Sequence, residues 1–124
     1  MNNVGIVLIS HSSKIVEGIK DILAQVVNNV PIGTAGGTDE NEIGTSIEKI
    51  VKAIEQVHNE KGVILLYDLG SAMMNAELAN ELTGYKNIKI AENIPLVEGA
   101  YIAAVESSIG NDIDKIIRSI RESF

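Results

Sequence analysis

An α/β domain on a mostly parallel four-stranded sheet is the fold class this sequence predicts, and three observations predict it. Residues 5–9 and 62–67 are aliphatic runs without a charge, rich in Ile, Val and Leu. Such runs read as strands buried on both faces, as the strands of parallel sheets are. Stretches with apolar residues at helical spacing follow each run, so strand and helix alternate. Each run also stops at a polar turn, Ser10-His11-Ser12-Ser13 after the first and Asp68-Leu69-Gly70-Ser71 after the second. Open α/β sheets place their ligands at that end of their strands.

The elements follow in order. Residues 5–9 form the first strand. Residues 14–30 carry Ile15, Val16, Ile19, Ile22, Leu23, Val26 and Val27 on one face of a helix that Pro31 ends, with Gly18 in its middle. Gly18 costs that helix roughly 1 kcal/mol relative to Ala, so close packing on the sheet is the expected compensation. Residues 32–35 form a short second strand, and the loop 36–41 follows by its glycines and small polar residues. The next helix has Ile43, Ile47, Ile50, Val51, Ile54 and Val57 as its apolar stripe. Its start has two candidates, because Asp39 with Glu42 and Thr45 with Glu48 both fit a capping box.

Residues 62–67 are the third strand. Ser71 is a natural N-cap for the helix 72–82, and Gly84 a natural C-terminal stop. Residues 87–91 make a fourth strand, and Pro95 sits in the first turn of a helix reaching Val105. Residues 112–122 form a last amphipathic helix, with Ile113, Ile116, Ile117 and Ile120 inward. The predicted order is β-α-β-α-β-α-β-α-α, with helices on both faces of a sheet ordered 2-1-3-4 and room for an added edge strand.

Composition bounds the function. The 124 residues suffice for one domain, 1–124, with a proper core. No apolar run approaches the roughly 20 residues of a membrane span, and the N-terminus lacks the pattern of a signal peptide. Without cysteine there are no disulfides, no thiolate nucleophile and no cysteine-bound metal, which fits a cytoplasmic location. A formal charge of −7, with three Tyr, one Phe and no Trp, argues against a nucleic-acid partner. Such a partner needs basic patches and stacking platforms.

In the order 2-1-3-4 the loops after strands one, two and three converge on one crevice, which collects His11, Ser12, Ser13, Gly37, Thr38, Asp68, Gly70 and Ser71. His11 is the candidate nucleophile. Asp68 on the neighbouring strand is a candidate to hold one imidazole nitrogen and leave the other free, although an Asp capping its own turn is an equal reading. Ser12 and Ser13 are candidate phosphate donors together with the amides of the following helix, or plain N-caps. Gly37, Thr38, Gly70 and Ser71 complete the set of candidate phosphate contacts. There is no GxxxxGK[ST], no GxGxxG and no acidic cluster for Mg²⁺. His58 lies on the far side, read as an exposed residue that complements a helix C-terminus. An anion site with one nucleophilic nitrogen remains, suited to holding a phosphoryl group as a labile P–N bond.

The segments Gly5-Ile6-Val7-Leu8-Ile9-Ser10-His11-Ser12, Gly36-Gly37-Thr38, Leu66-Tyr67-Asp68-Leu69-Gly70-Ser71 and Pro95-Leu96-Val97-Glu98-Gly99-Ala100 together carry a resemblance. Across essentially the whole chain they resemble the mannose-class enzyme IIA family of the bacterial phosphotransferase system, in the branch serving PEP-dependent dihydroxyacetone kinases. The resemblance implies a cytoplasmic, homodimeric phosphotransferase subunit without metal or cofactor, phosphorylated on His11. It implies HPr as the donor, ADP on the subunit DhaL as the acceptor, and dihydroxyacetone on DhaK as the final substrate. Some relatives carry HPr-like and enzyme-I-like domains after this one; a chain ending at Phe124 is expected to be the short, single-domain form. The alternatives are a IIA component of a mannose-type sugar transporter and a non-catalytic flavodoxin-like module that regulates by binding an anion.

Overall fold

The structure, a computed structural model, describes residues 2–124. The elements alternate as β1 (Gly5–Ser10), α1 (Ser13–Ala24), β2 (Ile32–Gly36), α2 (Ile47–Val57), β3 (Val63–Tyr67), α3 (Ala72–Thr83), β4 (Ile88–Ile90), α4 (Leu96–Ser108) and α5 (Ile113–Ser123). The sheet runs β2-β1-β3-β4 with every neighbouring pair parallel, and no further strand is added among the described residues. The predicted strand order is the one observed.

β1 as far as Ile9, and all of β3, are apolar because both faces of the sheet are covered. Ile6, Leu8, Ile64 and Leu66 pack with α1, α4 and α5, whereas Val7, Ile9, Val63, Leu65 and Tyr67 pack with α2 and α3. Successive strand residues point to opposite faces, so a two-sided core needs an apolar residue at each step. Each large side chain so buried contributes about 1.5–3 kcal/mol. The alternation ends where the core ends. Ser10 continues the row of Ile6 and Leu8 and is fully buried, and His11 is the first residue of the connection to surface.

Four details differ from the sequence-based expectation. α1 stops at Ala24, six residues short of Val30. Val26 and Val27 keep helical spacing, but their amides bond Leu23 O in a closing turn, from which Val27 still reaches the core. Gly18 packs against nothing, since an added Cβ would find no atom within 4 Å. The expected close packing is absent, and the helix carries the entropic cost of glycine. α2 begins later than either proposed cap, at Ser46, whose hydroxyl accepts from the Lys49 amide. Ile43 thus lies before the helix and is exposed. His58, expected to be exposed, is half-buried with its ring stacked on Tyr85 at 4.0 Å. Gly84 does end α3 in the left-handed conformation, at φ 66°.

Candidate functional site

β1 and β3 pair through Ile9↔Tyr67, so the chain leaves both strands at the same level. This register sets Asp68 beside His11. The Asp68 amide donates to Ile9 O at 3.1 Å, continuing the ladder one step beyond the strands.

The Asp68 carboxylate accepts four hydrogen bonds. Oδ1 takes the His11 ring at Nδ1 (3.0 Å) and the Leu69 amide (2.7 Å). Oδ2 takes the Ser10 hydroxyl (2.7 Å) and the His11 backbone amide (3.0 Å). Burial acts to raise the pKa of Asp68. The hydrogen bonds outweigh it, from the His11 amide, the His11 ring, the Ser10 hydroxyl and the Leu69 amide, and hold the carboxyl below its ordinary value. The group is therefore an anion at neutral pH. An anionic acceptor at Nδ1 fixes the proton there and leaves a lone pair on Nε2. Facing that lone pair, Ser71 Oγ stands 2.9 Å from Nε2 and donates to it.

Ser71 thus differs from its expected role. Its backbone occupies the N-cap position of α3, yet its side chain makes no cap bond and turns instead to the imidazole. Ser12 holds the N-cap position of α1, also without a side-chain cap bond; its amide donates to Ser10 Oγ at 3.0 Å. Ser13 is the first helical residue. Gly36 explains how α1 comes so close to β2, because a Cβ there would lie 2.7 Å from Ser13 Cα and 2.8 Å from Ser12 O.

The amides of Gly37 and Thr38 are already engaged. The Gly37 amide donates to Ser10 O, the Thr38 amide to Glu42 O, and Thr38 Oγ1 accepts from the Glu42 amide. These bonds hold the loop to β1 and to itself. A further strut, the Gly44 amide on His11 O at 2.9 Å, fixes that loop against the histidine. The amides of Gly70 and Ser71 have no partner among the described residues and lie at the positive end of the α3 dipole. The Ser71 hydroxyl is the donor that the structure sets against Nε2.

Ser10 is the residue that the sequence-based assignment passed over. Its buried hydroxyl donates to Asp68 and accepts from Ser12, tying carboxylate to helix start. The signal was present: a serine closing an apolar strand, in the row that faces the core. Among the described residues no three His, Cys, Asp or Glu side chains are grouped to hold a metal ion. Nor is any described helix long and apolar enough to cross a membrane.

A family model described as PTS system fructose IIA component matches residues 5–117. The phosphotransferase subunit DhaM of a PTS-dependent dihydroxyacetone kinase from Lactococcus lactis subsp. lactis (strain IL1403) is 38% identical over 112 residues, 90% of this chain and 89% of that one. The phosphoryl donor subunit DhaM of PEP-dependent dihydroxyacetone kinase 1 from Listeria innocua serovar 6a is 37% identical over 117 residues, 94% of this chain and 92% of that one. Among solved structures, EF1359, a protein of unknown function, superposes with a TM-score of 0.85 at 29% identity, over 98% of this chain and 95% of that one.

Proposed function

The chain belongs to the mannose-class enzyme IIA family of the phosphotransferase system, and from that premise we propose that it is a phosphoryl carrier whose covalent intermediate forms on His11. One observation carries the reading: His11 Nδ1 is held by an anionic Asp68 while Nε2 meets only a serine hydroxyl. The Nε2 lone pair attacks phosphorus in line, forming the new N–P bond. The donor's N–P bond breaks, and its electron pair returns to the donor nitrogen. Ser71, released from Nε2, redirects its O–H to a phosphoryl oxygen beside the Gly70 and Ser71 amides, which balance the charge without a metal ion. Asp68 stabilises the positive charge that the ring gains as it is phosphorylated. In the second transfer an oxygen of the acceptor attacks phosphorus, and the N–P pair returns to Nε2.

The named relatives support a phosphoryl donor subunit of a dihydroxyacetone kinase, and donor and acceptor are those that the family resemblance implies. In this reading the chain is the cytoplasmic phosphoryl donor subunit of a PEP-dependent dihydroxyacetone kinase and works as a homodimer. HPr phosphorylates His11, and ADP held on DhaL receives the phosphate for transfer to dihydroxyacetone on DhaK. The test is incubation with PEP, enzyme I and HPr, with the acid-labile phosphate mapped by mass spectrometry, followed by addition of DhaL and DhaK. Label on His11 and formation of dihydroxyacetone phosphate are expected. Label on another residue would refute the carrier assignment, and label on His11 without product would refute the acceptor. The sugar-transporter reading is favoured by the family description, fructose IIA component. It predicts transfer from phosphorylated His11 to a IIB protein instead of DhaL.

A further inference from the structure

The face of α3 that presents Ser71 to His11 does not end at the site. Met74, Leu78 and Leu82 follow Ser71 at intervals of three, seven and eleven residues, which stacks them on one helical face. The helix turns Ala72, Ala76 and Ala79 to the sheet, so its outer stripe is apolar where solvent would favour polar residues. Met74 is 71% exposed, Leu78 41% and Leu82 69%, and Leu69 at the preceding turn is 58% exposed. At the far end, Leu82 borders a groove of about 300 Å³ closed by Ile47 and Val51 of α2. Exposed apolar residues aligned over three turns of one helix and flanked by carboxylates mark an interaction surface.

Its charges choose the occupant. The exposed carboxylates of Glu77 and Glu81 run beside the stripe on α3, and Glu48 and Glu55 border the groove on α2, against Lys52 alone between them. A second copy docked here about a two-fold axis would set carboxylates against carboxylates. A partner with an apolar patch rimmed by Lys and Arg would meet both features. We infer that the outer face of α3, from Ser71 to Leu82, is the docking surface for the protein that delivers phosphate to His11, and that this partner is basic around an apolar centre. Because the stripe starts at the residue bonded to Nε2, a partner seated on it has its own phosphorylated group at the nucleophile. This inference rests on the phosphocarrier reading.

The experiment separates docking from chemistry. Single-turnover transfer is followed as a function of phosphorylated HPr concentration, alongside direct labelling by phosphoramidate, a small N–P donor that needs no docking surface. In a Leu78→Asp/Leu82→Asp protein the half-saturating HPr concentration should rise about tenfold or more, the scale of one lost anchor. The plateau rate and phosphoramidate labelling should stay at wild-type values. A Glu77→Lys/Glu81→Lys protein should likewise need more HPr and lose most of its salt dependence. Unchanged half-saturation in both variants overturns the inference. So does sedimentation showing that Leu78→Asp/Leu82→Asp turns a dimer into monomers, since the face would then belong to a second copy. If neither donor labels the wild-type protein, the phosphocarrier reading fails, and the docking surface with it.

Discussion

The chain has two histidines, and their surroundings are opposites. His11 stands at the carboxyl end of β1 with Nδ1 on a carboxylate and Nε2 on a hydroxyl. His58 closes α2 at the other end of the molecule, its backbone amide on Ile54 O and its ring stacked within 12° of parallel on Tyr85. One ring is held by its edge and the other by its faces. Edge bonding selects a tautomer and aims a lone pair. Stacking contributes attraction without choosing which nitrogen carries the proton. The side chain is the same, and reactivity is set by what touches the nitrogens.

The largest break in this comparison is removal of the ring itself. A His11→Ala protein should lose acid-labile phosphate by on the order of 10³-fold or more, read by mass spectrometry after incubation with phosphorylated HPr. Retained label would show that edge bonding does not mark the nucleophile. Next comes the partner of Nδ1. Asp68→Ala frees the tautomer and should slow transfer about 10- to 100-fold, the range over which residues orienting a histidine act. Transfer at the wild-type rate would leave Asp68 a purely structural group.

The same carboxylate makes a pH prediction with a definite sign. Its folded pKa lies below the unfolded value, so its contribution to stability is present above about pH 4 and is lost as pH falls through the folded pKa. Thermal unfolding between pH 7 and pH 3 should show wild type losing this increment, whereas Asp68→Ala, which lacks it, should fall less steeply. Parallel pH profiles for the two proteins would contradict the assignment.

Ser10→Ala sharpens the comparison one bond further out. It leaves a half-buried carboxylate oxygen short of a donor and should cost about 1 kcal/mol in urea unfolding, with slower transfer. A protein as stable and as fast as wild type would remove Ser10 from the site. His58→Ala, in contrast, should lose about 0.5–1.5 kcal/mol of stacking and leave phosphorylation unchanged. A transfer defect there would mean that the two ends of the sheet communicate. The smallest effect belongs to neither ring: Gly18→Ala should raise stability by about 0.4–1 kcal/mol, because nothing occupies the space of the new methyl group.

Legibility in the sequence followed the range of the interactions. The alternation and the order 2-1-3-4 could be read because strands buried on both faces, as β1 and β3 are, are apolar at nearly every step. His11 and Asp68 were found together because strand order alone brings their loops together. The end of α1 was misjudged because Val27 reaches the core from a turn, and spacing cannot distinguish a turn that packs from a helix that packs. Ser71 has every local mark of an N-cap. Its preference for a ring 60 positions away in the chain is a tertiary choice that no local pattern carries. Ser10 was hidden for the same reason, since its value lies in a carboxylate on another strand. The engagement of the Gly37 and Thr38 amides is not legible either, because whether an amide is free depends on how the loop folds on itself.

Asp68 grips His11 at two points, the backbone amide through Oδ2 and the ring through Oδ1. Two anchors on one rigid carboxylate leave the imidazole little freedom to swing about its χ angles. The angular search that a free histidine would make before each attack is therefore completed when the chain folds. Under the phosphocarrier reading proposed above, an incoming phosphoryl group would meet a nitrogen already held in place, and the entropy of aiming it would be no part of the barrier to transfer.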